Sequence, residues 1–174
     1  MFNIKFLTTS ILVIFSFFFT ACLTDNKESK EQVKSLLTGE PSEKYHMLSQ
    51  KYFKEGEYRK ALKYNIKQLN EDLKYYKKES SEIALDYNDI GLNYDKLKEY
   101  TRAIEYYQKA IQIDNIILDD NNTERATTYF NLASSHDALD NYDEALEYYL
   151  KALAIDKESK ETRSKIDELK KKIK

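Results

Sequence analysis

Three short stretches decide the reading: Glu57-Tyr58-Arg59-Lys60-Ala61-Leu62, Glu99-Tyr100-Thr101-Arg102-Ala103-Ile104 and Asn141-Tyr142-Asp143-Glu144-Ala145-Leu146. Their alanines, Ala61, Ala103 and Ala145, are spaced 42 residues apart, twice in succession. A fixed period of this size marks a repeat architecture, in which each unit is one supersecondary motif that buries its apolar face only against a neighbour.

Each unit reads as two amphipathic helices. In the second unit Tyr87, Ile90, Gly91 and Tyr94 recur at three- and four-residue spacing. After a break at Leu97–Glu99 the series resumes as Tyr100, Ala103, Ile104, Tyr107, Ala110 and Ile111. The third unit repeats both series, as Tyr129, Leu132, Ala133, His136 and then Tyr142, Ala145, Leu146, Tyr149, Ala152, Leu153. Spacing of this kind places one apolar stripe on each helix. Small residues at Gly91, Ala133 and the three recurring alanines allow helix axes to approach closely, and the tyrosines fill the space beside them.

The pattern Tyr87-x-x-Ile90-Gly91-x-x-Tyr94, Tyr100-x-x-Ala103, Tyr107-x-x-Ala110 resembles the tetratricopeptide repeat, with Asn115 where that family usually has proline. The longer period, with Asp119-Asp120 before the third unit, resembles the extended repeats of kinesin light chains. Eight residues beyond the usual 34 are expected to add roughly one turn to each helix of a pair. The first unit departs most: Ser49 stands where Gly or Ala is expected, Asn65 replaces the later aromatic, and Gln68 replaces an Ala. The resemblance implies an all-α, right-handed superhelical solenoid of three antiparallel helix pairs over residues 42–157. Residues 158–174, with Ile166, Leu169 and Ile173 on one stripe, read as a capping helix that closes the last pair. The Lys170-Lys171-Lys172 run belongs to the wet face of that cap, with a membrane-contacting basic tail as the alternative.

The beginning of the chain has a different character. Lys5 precedes an uncharged run from Phe6 to Phe19, and Thr20-Ala21-Cys22 follows. A basic start, an apolar run and small residues before a break form an export signal. Phe19-Thr20-Ala21-Cys22 resembles the lipobox of bacterial lipoproteins, with Phe19 in place of the usual aliphatic residue. That resemblance implies a signal peptide over residues 1–21, a diacylglyceryl group on the Cys22 thiol, cleavage before Cys22, and often acylation of the new amino group, with palmitate-type chains. Two or three acyl chains hold a protein stably on a membrane, where one does not. The alternative is an uncleaved transmembrane helix, for which the apolar run lies at the short edge of the ~17–25 residues a bilayer needs. Residues 22–41 then form a lipidated and flexible tether, polar and mixed in charge, which ends at Pro41. The expected location is the bacterial cell envelope, on the inner or the outer membrane.

Composition narrows the function. The net charge is −2, with no excess of basic residues to indicate a nucleic-acid ligand. One Pro and three Gly leave little material for hairpin turns. All 15 tyrosines lie at or beyond Tyr45, and of eight Phe only Phe53 and Phe130 lie beyond residue 22. Cys22 is the sole cysteine, so multi-cysteine metal sites and intramolecular disulfides are excluded. His46 and His136 are the only histidines, and neither a zinc-protease helix motif nor a phosphate-binding glycine loop is present. Ser134-Ser135-His136-Asp137 contains the letters of a hydrolase triad, but neighbours along one helix point in different directions. His136 holds the position of Tyr52 and Tyr94 and is expected to pack between helices.

The expected function is therefore non-catalytic, with no cofactor and no metal: a lipid-anchored module that binds another protein or a peptide. Carried over from the family, the partner-binding groove takes His46, Met47 and Gln50 from the first unit. The second unit gives Asn88, Asp89, Leu92 and Asp95, and the third gives Phe130, Asn131, Ser134 and Asp137. Phe130 either anchors an apolar side chain of the guest or packs on the adjacent helix. Asn88 and Asn131 are suited to a peptide backbone. Asp89, Asp95 and Asp137 are expected to make the groove mildly acidic and to select a peptide with basic and apolar residues. A structural or accessory role through homo-oligomerisation is the alternative.

Overall fold

The computed structural model describes residues 41–117, 119 and 122–173. The signal-peptide, Cys22 and tether readings fall on residues 1–40, outside the described residues. Seven helices are found among the described residues: α1 (Pro41–Lys54), α2 (Tyr58–Tyr75), α3 (Ser81–Lys96), α4 (Tyr100–Ile117), α5 (Thr123–Ala138), α6 (Tyr142–Ile155) and α7 (Lys160–Lys172). Pro41, read as the last residue of the tether, is the first of α1, where a missing backbone N–H costs nothing.

Local chemistry sets the ends. The hydroxyl of Ser80 accepts from Ile83 N at the start of α3, Asn122 Oδ1 accepts from Glu124 N before α5, and Ser159 Oγ accepts from Thr162 N before α7. Each satisfies one backbone N–H that a helix start leaves unpaired. Within every pair the turn passes through one residue of positive φ at the same repeat position, Gly56 (75°), Lys98 (61°) and Asp140 (59°). Only the first unit uses glycine, for which that conformation is unstrained.

Consecutive helices pack on one another from α1 through to α7, and α3 also touches α5. The chain thus forms three helix pairs and a cap, as the sequence implies. Ala61, Ala103 and Ala145 are all fully buried. The expected extra turn is visible in the second helices: α2 and α4 have 18 residues, and α6, next to the cap, has 14.

Two aromatic devices hold the second and third pairs, and one of them holds the first as well. In the inner one, Tyr107 and Tyr149 are buried against the small residues Gly91 and Ala133. A Cβ placed on Gly91 would lie 2.7 Å from the Tyr107 ring, so the ring packs directly on the glycine and leaves no room for a side chain there. In the other, a tyrosine of the second helix stands between two rings of the first. Tyr64 lies 6.3 Å from Tyr45 and 5.5 Å from Tyr52, and Tyr106 lies 6.1 Å from Tyr87 and 5.4 Å from Tyr94. Tyr148 lies 6.1 Å from Tyr129 and 5.6 Å from His136. His136 therefore packs between helices, as its repeat position implies, and burial pushes its pKa down. Lys67, Lys109 and Lys151 lie over the Tyr45–Tyr64, Tyr87–Tyr106 and Tyr129–Tyr148 pairs. This is an attraction of cation for ring face, and it repeats at the same position in all three units.

Candidate functional site

The first helices α1, α3 and α5 carry every residue expected in the groove. Where α3 meets α5, Asn131 Nδ2 donates to Asn88 Oδ1 at 3.5 Å and Ser135 Oγ donates to Asp95 Oδ1 at 2.9 Å. Asn88 and Asn131, predicted as backbone-binding residues, therefore stand side by side across two repeats. Ser135, which is not one of the expected groove residues, is fully buried and fixes the Asp95 carboxylate.

The third unit's groove residues are occupied within the molecule. Ser134 Oγ is 3.0 Å from the Tyr149 hydroxyl. Phe130 meets the same ring edge-on at 5.3 Å, and it packs against the cluster of Ala133, Ala145, Tyr149, Ile166 and Leu169. Of its two readings, packing is the one the geometry displays. The Asp137 carboxylate accepts from Lys172 Nζ of the cap at 2.6 Å. Of the three aspartates expected along the groove, Asp137 is thus paired with the cap. In Ser134-Ser135-His136-Asp137 the four side chains reach Tyr149, Asp95, Tyr148 and Lys172 respectively, so the run assembles no proton relay.

The first unit is open instead. A cavity of about 300 Å³ lies between α1 and α3, with Ser49, Asn65, Asp89, Leu92 and Asn93 among its lining. Asn65 and Ser49 occupy the repeat positions of Tyr107 and Gly91, and no ring fills the space there. Gln50 lies at its edge, exposed, with Nε2 2.7 Å from His46 Nε2, and Nδ1 of that histidine is 3.3 Å from Gln68 Oε1. Asn93 Nδ2 donates to the Asp89 carbonyl at 2.9 Å. The oxygens Asn65 Oδ1 and Asn93 Oδ1 are buried without a hydrogen-bond partner. Desolvation raises the Asp89 pKa, and the nearby His46 opposes that shift. Asn65 and Asn93 were not among the predicted site residues. The departure of Ser49 and Asn65 from the repeat was the signal that pointed to them.

Elsewhere, the junctions between repeats differ in charge. At the α2–α3 junction Asp86 and Asp72 are both buried, and the Asp86 pKa is pushed up to about 8 by desolvation and then by Asp72. At the α4–α5 junction Asp114, the repeat equivalent of Asp72, is raised to about 6 by burial, with Glu124 raising it further and Arg125 lowering it. Among the described residues no cluster of three metal-ligating side chains is present, and no helix is long and apolar enough to cross a membrane.

A family model for the tetratricopeptide repeat matches residues 81–158. No curated protein matches the chain. Among solved structures it resembles the nearly identical TPR-like repeats of a Podosopora anserina protein assigned as a kinesin light chain. That likeness has 19% identity and a TM-score of 0.61, over 68% of this chain and 57% of that one. It also resembles BtubC (BKLC) from P. vanneervenii, with 23% identity and a TM-score of 0.63, over 69% of this chain and 47% of that one. The first TPR of Spaghetti (RPAP3), solved bound to the HSP90 peptide SRMEEVD, aligns with 18% identity and a TM-score of 0.61, over 76% of this chain and 94% of that one. This chain spans about half the length of the first two. At these identities the likeness shows the fold.

Proposed function

We propose that the tetratricopeptide repeats of this chain form a non-catalytic module that holds a segment of another protein along the face built by α1, α3 and α5, on a lipid anchor at Cys22 in a bacterial envelope. The observation that carries the binding half is the open cavity between α1 and α3, whose buried oxygens lack partners. Buried polar atoms are nearly always paired, and of those left unpaired among the described residues, Asn65 Oδ1 and Asn93 Oδ1 belong to the wall of an open cavity that a guest can enter. A neighbour of the same fold, the first TPR of Spaghetti (RPAP3), was solved with a peptide bound, which supports peptide binding as the class of activity. The anchor rests on the sequence: a basic start, an apolar run, and Ala21-Cys22.

Two measurements test the two halves. Chemical crosslinking in native membranes, followed by pull-down of the full chain, is expected to recover one or a few specific proteins from the wild type, with Asn88→Ala/Asn131→Ala losing most of the yield. Equal recovery by both would remove the binding half. Mass spectrometry of the mature N-terminus is expected to find an acylated Cys22 as the first residue. Retention of Met1 would remove the lipid anchor.

A specific observation favours the oligomeric reading as a second one. Tyr75 and Ile116, near the ends of α2 and α4, are 70% and 69% exposed, with Ile117 and Tyr76 beside them. Light scattering that gives a monomer at all concentrations would discard it.

A further inference from the structure

The geometry points to the cavity between α1 and α3 as a socket for one basic side chain, lysine or arginine, of the partner polypeptide; this rests on the groove reading above and names the residue type it selects. The lining decides the chemistry. Asn65 and Asn93 are 3% and 2% exposed, and in both the side-chain oxygen is the buried atom without a partner. The orientation of Asn93 is fixed, because its amide nitrogen is spent on the Asp89 carbonyl. Both residues stand in the cavity wall, each with an acceptor that only a donor satisfies. The Asp89 carboxyl stands in the same lining and supplies the charge. Phe53 and Leu92 also line the space and offer apolar surface to a methylene stem. A charged head on an aliphatic stem matches both halves of that lining. An acidic side chain does not, because it would bring a third acceptor against two buried ones. Lys54 reaches the rim, but it is exposed and its charge is solvated.

The socket also has a structural origin. In the second and third units the equivalent volume is taken by the rings of Tyr107 and Tyr149. Asn65 is too short to fill it, and Ser49 turns its hydroxyl back onto the His46 carbonyl at 2.8 Å. One repeat of the three therefore keeps a vacancy in the face where a guest would lie.

The test uses the full chain and three small probes: Nα-acetyl-lysine N-methylamide, its norleucine analogue with the same stem and no charge, and its glutamate analogue. NMR shifts of the Asn65 and Asn93 side-chain amides and of the Asp89 carboxyl are followed. The lysine probe is expected to give saturable shifts at all three residues, with affinity about tenfold above the norleucine probe, as a buried charge pair supplies. Asp89→Asn, which keeps the shape, is expected to remove that advantage, and Asn65→Tyr to abolish binding by filling the space. Free n-butylamine separates the two sources of an alkylammonium group: binding as tight as that of the lysine probe would mean a small-amine site and overturn the polypeptide assignment. Equal response to norleucine, preference for glutamate, or no shift with any probe would also overturn it. If a crosslinked partner stays bound to Asp89→Asn and Asn65→Tyr but leaves Asn88→Ala/Asn131→Ala, the groove reading stands and the socket falls.

Discussion

The second and third repeats close on a tyrosine, and the first closes on an asparagine. Tyr107 against Gly91 and Tyr149 against Ala133 are sealed contacts, while Asn65 against Ser49 leaves about 300 Å³ open. The junctions follow the same division. Asp114 has Arg125 among the charges acting on it, whereas Asp86 has Asp72. One helix-pair scaffold is thus tuned for stability at its capped end and for vacancy and charge at its first pair. Buried rings contribute apolar area and dispersion, and unfilled polar positions forgo both. A repeat protein can bear one such weak unit because its stability is roughly a sum of unit and nearest-neighbour terms.

The largest expected effect tests the sealed contacts against the open one. Tyr107→Ala should cost about 3–5 kcal/mol in urea-melt stability, as truncating a buried aromatic does. Asn65→Ala should change little, because its carbonyl already lacks a partner. Comparable losses at the two positions would erase the distinction.

A smaller effect concerns the close approach. Gly91→Ala should destabilise by about 1–2 kcal/mol, since overpacking costs roughly 1–3 kcal/mol and the gain in helix propensity returns up to about 1. The Tyr107 ring, 2.7 Å from the added carbon, is fully buried and has little room to withdraw. Thermal melts that show Gly91→Ala more stable than the wild type would mean that the two helices are not held at contact distance.

The smallest effect is a change of slope with pH. Burial raises the Asp86 pKa from 3.8 to about 8, so the folded chain keeps a proton there that the unfolded chain has released. Stability from that proton is complete below the unfolded value and is lost as pH rises through about 8. Asp86→Asn keeps a neutral group at the α2–α3 junction. It should flatten the fall in melting temperature between pH 5 and pH 9, and it should gain most over the wild type at the alkaline end. Parallel profiles for the two proteins would show that the carboxyl is ionised in the fold.

Much of this was readable in the repeat itself. The period alone locates the three buried alanines, the two sealing tyrosines and the stacking position of His136. The weakness of the first unit was readable too, at Ser49 and Asn65, but only as a departure from a pattern. That the departure opens a cavity facing Asp89 and Asn93 depends on α1 and α3 lying side by side, which no spacing within one helix states. The groove residues of the third unit show the same limit. Ser134 and Phe130 lie on Tyr149, and Asp137 lies on Lys172, 35 positions along the chain. Sequence periodicity reports which face of a helix a residue occupies, because that follows from 3.6 residues per turn. It determined here the helix pairs, their order and their contact residues. The tertiary structure alone decided which polar groups on the shared face are already satisfied and which are left for a guest, because a hydrogen bond or an ion pair is made at a distance set by two backbones, and periodicity describes only one.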